Sequence, residues 1–152
     1  MLIGVISDTH GLLRPEARVA LAEAEHILHA GDVGDIQILE SLREIAPVTA
    51  IRGNVDVHGE CSLLQATEAV ELGGRLFYLV HSAYDLDIDP KAAQVDVVVS
   101  GHSHKPGIER RKGVLFLNPG SAGPRRFNLP VSIALVTVGA AEVEARIVEL
   151  SL

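Results

Sequence analysis

The sequence predicts an α/β fold of two mixed β-sheets packed face to face, with helices on the outside. Three observations carry that prediction. Apolar runs alternate with helical segments over the first third of the chain, the β-α-β pattern of parallel strands joined by right-handed crossovers. The later part reads as hairpins, which adds antiparallel strands. Hydrophobic residues make up 47% of the 152 positions but aromatics only 3%, so Val, Ile, Leu and Ala must build the core, as in sheets buried on both faces.

The elements follow in order. Leu2 to Ile6 is a continuous apolar run and predicts a buried strand. Pro15 opens a helix, the position proline favours, running to about Glu25. His26 to His29 is a short second strand. Asp35 is placed to cap a helix through about Ile45, which Pro47 closes. Val48 to Ile51 is a third strand. Ala69 to Leu72 and Leu76 to Val80 form a hairpin around Gly73-Gly74. Pro90 to Gln94 predicts a short helix and Val95 to Val99 a buried strand. Ile108 to Arg111 and Val114 to Leu117 make a hairpin around Lys112-Gly113. Ser132 to Val138 and Val143 to Leu150 make a last antiparallel pair around Gly139. No Ser/Gly-rich linker, charge block or repeat interrupts the chain, so residues 1–152 read as a single domain.

The bulk properties narrow the function classes. The formal net charge of -7 disfavours stable nucleic-acid binding, which needs many cations at phosphates. Two divalent ions would offset about four of those charges. The single cysteine, Cys61, has no partner for an internal disulfide. No apolar run reaches the ~18 residues of a membrane span, and no basic segment precedes the first strand. A soluble cytoplasmic protein is the expectation.

Four polar clusters end apolar runs: Ser7-Asp8-Thr9-His10, Gly31-Asp32-Val33, Gly53-Asn54-Val55-Asp56 and Gly101-His102-Ser103-His104, with His81 between the last two. In open α/β sheets, loops beyond the carboxyl ends of strands converge on a common site. Taken singly, each residue reads as a cap, a turn or a surface histidine. Taken as an ordered set of imidazole, carboxylate and amide oxygen, they suit borderline transition metals, and a carboxylate can bridge two of them. His26 and His29 read as structural, with His29 near enough to Asp32 to support it.

The order Asp-x-His, Gly-Asp, Gly-Asn, His, Gly-His-x-His resembles the calcineurin-like metallophosphoesterases. The short chain, the form Gly53-Asn54-Val55-Asp56 and the late run Leu117-Asn118-Pro119-Gly120-Ser121 narrow the likeness to compact phosphodiesterases of the YfcE type. The resemblance covers nearly the whole chain. It implies the metallophosphoesterase fold, a four-layer α-β-β-α sandwich of two mixed β-sheets flanked by helices. It implies that Asp8, His10 and His104 hold one metal, that Asn54, His81 and His102 hold the other, and that Asp32 bridges both. It further implies two divalent transition-metal ions, Mn first, with Ni, Co, Fe or Zn as alternatives. The expected activity is hydrolysis of small, aryl or nucleotide-like phosphodiesters by a water bridging the two ions, with Asp32 and Asn54 as the catalytic pair.

The chain departs from the pattern at Val55, where larger relatives carry a histidine that assists the leaving group. The general acid is therefore unassigned, with His58 and Asp56 as candidates; Asp56 also reads as a turn residue or a support for a ligand. Ser82 replaces a usual glycine after His81. Asn118 to Ser121 reads equally as a site loop or an ordinary turn. Arg52 reads as a phosphate contact or a surface ion pair, and Arg125-Arg126 as a substrate contact or solvated surface. The resemblance allows a homodimer. It also opens two other functions. A retromer subunit of this fold serves as a scaffold with an impaired site, whereas every ligand position here is filled. Nuclease subunits of DNA repair complexes are much longer chains with added regions that this sequence lacks.

Overall fold

The apolar run of Leu2–Ile6 forms the central strand of a five-stranded sheet in the computed structural model, which describes residues 1–152. In chain order the strands are β1 (Leu2–Ile6), β2 (His26–His29), β3 (Val48–Ala50), β4 (Thr67–Leu72), β5 (Arg75–Val80), β6 (Val97–Val99), β7 (Gly107–Arg111), β8 (Val114–Asn118), β9 (Ser132–Val138) and β10 (Val143–Glu149). Two α-helices, α1 (Pro15–Ala20) and α2 (Ile36–Arg43), connect the first three strands. One sheet has the order β10-β9-β1-β2-β3 and the other β4-β5-β6-β8-β7. In each, three parallel strands (β1, β2, β3 and β5, β6, β8) carry antiparallel neighbours. The expected pair of mixed sheets is present.

Strand alternation assigns the two faces of each sheet. Ile3, Val5, Leu28, Phe77, Leu79, Val97, Val99, Leu115, Leu117, Ala134 and Val136 fill the space between the sheets. Ile6, Ile27, Ile133 and Leu135 turn the other way and pack with Ala17, Leu21, Leu39 and Leu42 of the helical layer. The absence of a side chain at Gly4 lets Leu21 lie directly on β1, where an added Cβ would collide with it. On the outer face of the second sheet, Val80, Val98 and Val114 are covered by Leu86, Ile88 and Val95. The fourth layer is thus reduced to a 3₁₀ turn at Ala83–Asp85 and the irregular stretch after it.

Several boundaries differ from the sequence reading. The first helix stops at Ala20 rather than near Glu25. Glu25 has already joined the sheet edge: its N–H donates to the Leu2 carbonyl at 2.8 Å and its carboxylate accepts from the Leu2 N–H at 2.7 Å. Asp35 caps α2 as expected, accepting from the Gln37 N–H at 2.9 Å. Pro90 to Gln94 makes a single turn, not a helix. Asp89 accepts from the Lys91 and Ala92 N–H groups, and Gln94 adopts φ 60°, which ends the turn. A 3₁₀ turn at Glu60–Leu63 was not expected. The two-glycine hairpin forms as expected, with Gly73 and Gly74 both at positive φ and Leu72 paired with Arg75. No helix is long and apolar enough to cross a membrane.

Phe77 is the largest fully buried side chain and stands where the two sheets meet. Phe77→Ala should lower unfolding stability by about 3–5 kcal/mol, read as a reduced urea midpoint with little change in slope.

Candidate metal centre

The parallel strands of both sheets end on one rim. Ser7-Asp8 follows β1, Gly31-Asp32 follows β2, Gly53-Asn54 follows β3, His81 follows β5 and Gly101-His102 follows β6. The loops leave the strands abruptly. Asp8, His10, Asp32, His102 and His104 all adopt φ between 47° and 70°, a region disfavoured for residues with a side chain. These are five of the eight such non-glycine residues in the chain. The adjoining glycines allow the close approach. A Cβ on Gly53 would collide with the backbone and carboxylate of Asp32, and one on Gly101 with Ser7 and the Asp8 carboxylate.

Two groups of donors result. The ligand atoms of Asp8, His10 and His104 lie within 4.8 Å of one another, and so do those of Asp32, His81 and His102. Asp32 Oδ2 is 3.5 Å from His10 Nε2 and 3.2 Å from His81 Nε2, so it faces a ring from each group. Asp8 Oδ1 is 3.5 Å from His104 Nε2 and 3.8 Å from both His10 Nε2 and His81 Nε2. None of these approaches has hydrogen-bond geometry. Asp8 Oδ1, His10 Nε2, His81 Nε2 and His104 Nδ1 are buried with no hydrogen-bond partner. Asn54 is exposed beside His81, bordering the same cavity.

The remaining polar atoms are held from behind. Asp8 Oδ2 accepts from the Ser7 hydroxyl at 2.8 Å and the His102 N–H at 3.1 Å. Asp32 Oδ1 accepts from the Val55 N–H at 3.0 Å. His81 Nδ1 lies 2.7 Å from the Ala30 carbonyl and must donate to it. In the neutral ring that leaves Nε2 with a lone pair facing the carboxylates. His29 accepts the Gly31 N–H at Nδ1 and therefore donates from Nε2 to Thr9 Oγ1, which donates to the Val33 carbonyl. His29 is a buried strut between the Asp8 and Asp32 loops, while His26 sits apart on Thr49.

Burial raises the Asp8 carboxyl above its usual range, against the lowering pull of His81 and Ser7. Burial pushes Asp32 the same way, but the His81 ring, the Val55 N–H and the charge of His10 outweigh it and hold Asp32 well below the usual range. His81 is raised: Asp32, the Ala30 carbonyl and Asp8 overcome its burial. His104 falls to about 4, first through burial and then through Arg126. Four unpartnered buried atoms in a set of carboxylates and imidazoles are what divalent transition metals would satisfy, so these residues fit such ions.

The other predicted residues divide. Asp56 is buried, and its carboxylate accepts the N–H groups of Gly53 at 2.8 Å, Gly34 at 2.9 Å and Val33 at 3.1 Å. Both oxygens are engaged with backbone donors, so Asp56 is a clamp between two strand-end loops. His58 is exposed and makes no hydrogen bond. The loop from Asn118 to Ser121 does reach the site. Asn118 Nδ2 donates to the Gly101 carbonyl at 3.0 Å and to Ser103 Oγ at 3.2 Å, and the Ser121 hydroxyl donates to the Asp8 carbonyl at 3.0 Å. Arg52 donates to the Leu64 carbonyl at 2.7 Å, making no ion pair. Arg125 and Arg126 are exposed. Ser7, Thr9 and Ser121, which pin the backbone of the ligand loops, carry no spacing signal that could have identified them.

Residues 1–141 match the family described as the calcineurin-like phosphoesterase superfamily domain. A probable metallophosphoesterase of Methanothermobacter thermautotrophicus is 35% identical, across 97% of this chain and 92% of its own. The phosphodiesterase YfcE of Escherichia coli K12 is 29% identical, across 86% of this chain and 84% of its own. Among solved structures, Vps29 of Chaetomium thermophilum superposes with a TM-score of 0.79 over 99% of this chain and 98% of its own, at 20% identity.

Two predictions follow from the struts. Asp56→Ala leaves three backbone N–H groups without their acceptor, and stability should fall by about 2–4 kcal/mol in chemical denaturation. His29 is held near 4 by burial, against 6.5 unfolded. Between those values the unfolded chain binds more protons, so stability is lost as pH falls from 6.5 toward 4, by at most about 3 kcal/mol from this residue. In metal-free protein, His29→Asn should lose less stability over that window than the wild type.

Proposed function

The chain belongs to the calcineurin-like phosphoesterase superfamily, hydrolases of phosphate esters that use divalent metal ions, and we propose that it is a dinuclear phosphodiesterase acting on small aryl or nucleotide-like diesters. One observation carries the reading: Asp32 Oδ2 faces a ring from each of two adjoining donor groups, and Asp8 Oδ1, His10 Nε2, His81 Nε2 and His104 Nδ1 are buried without a hydrogen-bond partner.

In this reading Asp8, His10 and His104 would hold one ion, Asn54, His81 and His102 would hold the second, and Asp32 would serve both. Mn is the first choice, with Ni, Co, Fe or Zn able to use the same donors. Two such cations would supply a lowered pKa for an attacking water and neutralise charge on the phosphoryl oxygens. The chain's own residues orient and exclude. Asp8 is kept rigid by Ser7 and the His102 N–H, and His81 by Ala30. Asn54 is free to turn its carbonyl to the metal and its NH₂ to a phosphate oxygen. Val55 delivers no proton, so esters with good leaving groups react best. The whole of residues 1–152 acts as one domain on a small-molecule substrate, in the cytoplasm and without stable nucleic-acid binding, as a monomer or a homodimer.

The likeness to Vps29 favours a second reading, a scaffold of the same fold with a weak site. The filled ligand set weighs against it.

The chelated protein, reloaded separately with Mn, Ni, Co or Zn, should bind two ions per chain and hydrolyse bis(4-nitrophenyl) phosphate faster than 4-nitrophenyl phosphate. Asp32→Asn should lower kcat/KM by at least ~100-fold. Two bound ions without turnover would favour the scaffold, and alkyl monoesters turned over faster than aryl diesters would refute the leaving-group argument.

A further inference from the structure

Two cavities open onto the candidate centre, and they differ in charge. The one on the Asn54 and His81 side, about 360 Å³, is bordered by Asp85 and Asp87, and its one cation, Arg52, is engaged by the Leu64 carbonyl. The other begins at His102 and encloses about 500 Å³. It is bordered by Lys105 and Arg111 and by no carboxylate, in a chain with 20 acidic against 13 basic residues. The second side thus offers an anionic group two cations, one of them paired with Glu109, where the first side offers two carboxylates and an engaged arginine.

The second cavity also has the size of a small-molecule site. Leu86 and Phe116 supply apolar wall. Tyr84 is 99% exposed at its border, an amphipathic ring available for stacking. The Arg111 guanidinium lies 4.2 Å over the Phe116 ring, which orients its planar fork. Glu109 approaches its Nε at 3.3 Å in an exposed pair, and the two terminal nitrogens remain free. A planar fork with two free donors matches phosphate in a two-point contact.

We propose that this cavity receives one arm of the phosphodiester, a nucleoside-like arm whose ring stacks on Tyr84 and whose second phosphate is held by Arg111 and Lys105. The proposal rests on the phosphodiesterase reading and names its substrate class: small nucleotide-type diesters bearing a further phosphate. Arg111 and Lys105 are then specificity residues, acting on affinity rather than on the reacting bond.

The test uses the full chain loaded with Mn and thymidine 5′-(4-nitrophenyl phosphate), with and without a 3′-phosphate. In both substrates a water oxygen bonds to phosphorus, its proton passes to solvent, the bond to the nitrophenyl oxygen breaks and 4-nitrophenolate leaves. The 3′-phosphate should lower KM by about tenfold and leave kcat similar, the factor expected of one charge-assisted contact. In Arg111→Gln the ratio of the two KM values should fall close to one, and Lys105→Gln should reduce it. Calorimetry should show the same preference for thymidine 3′,5′-bisphosphate over thymidine 5′-phosphate, lost in Arg111→Gln. Equal KM values in the wild type, or a preference that survives Arg111→Gln, would overturn the proposal. No turnover of either substrate overturns the phosphodiesterase reading instead, and the calorimetric comparison then decides the cavity alone.

Discussion

Two carboxylates, Asp8 and Asp32, are buried at the ends of neighbouring parallel strands with their free oxygens turned to the same imidazole rings. Everything around the rim depends on keeping them there. Like charges at this depth repel, and burial penalises both. The protein meets that cost unequally. Asp32 keeps its charge because His81, His10 and the Val55 N–H face it, whereas Asp8, more deeply desolvated, is pushed toward the neutral form. The two sites are thus unlike before any ion arrives. A divalent cation would reverse the balance by supplying positive charge where the rings and carboxylates leave atoms unpaired.

Holding such a set open requires rigid surroundings. The rigidity comes from the sheets beneath, whose interior is packed with aliphatic side chains and Phe77, and from a ring of backbone contacts above. Asp56 ties the loop after β2 to the loop after β3 through three N–H groups. Ser121 ties the loop after β8 to Asp8, and Asn118 ties it to the residues flanking His102. Positive φ at five of the inward-facing residues is the local cost of aiming the side chains. The struts keep that strain from relaxing, which is why no single loop carries the site.

How much of this could be read from the sequence follows from where the information lies. The parallel strands were legible as short, mostly apolar runs. The donor residues were legible as an ordered set of motifs a few residues past those runs, which together resemble the family pattern although each singly reads as a turn or surface residue. The α1 boundary was not, because Glu25 leaves the helix for a contact with Leu2 that only the folded sheet provides. Asp56 was visible as a polar residue but not as a clamp. Its partners are the N–H groups of Val33, Gly34 and Gly53, and a backbone donor leaves no mark on residue type. The Asn118 to Ser121 loop could not be told from an ordinary turn for the same reason: its contacts run mainly to main-chain carbonyls.

The same distinction explains how the chain tolerates Val55. The backbone at that position donates to Asp32 Oδ1 at 3.0 Å, and that bond supports the Asp32 carboxylate whatever side chain follows. The valine side chain itself is 45% exposed. Its replacement of a proton-carrying residue therefore removes an aid to the leaving group without loosening the donor set. Binding of metal and delivery of a proton are physically separable here, one built from main chain and buried ligands, the other from an exposed side chain. On the phosphodiesterase reading, a site organised in this way would keep its means of activating water while its range of leaving groups narrowed to those that depart without assistance.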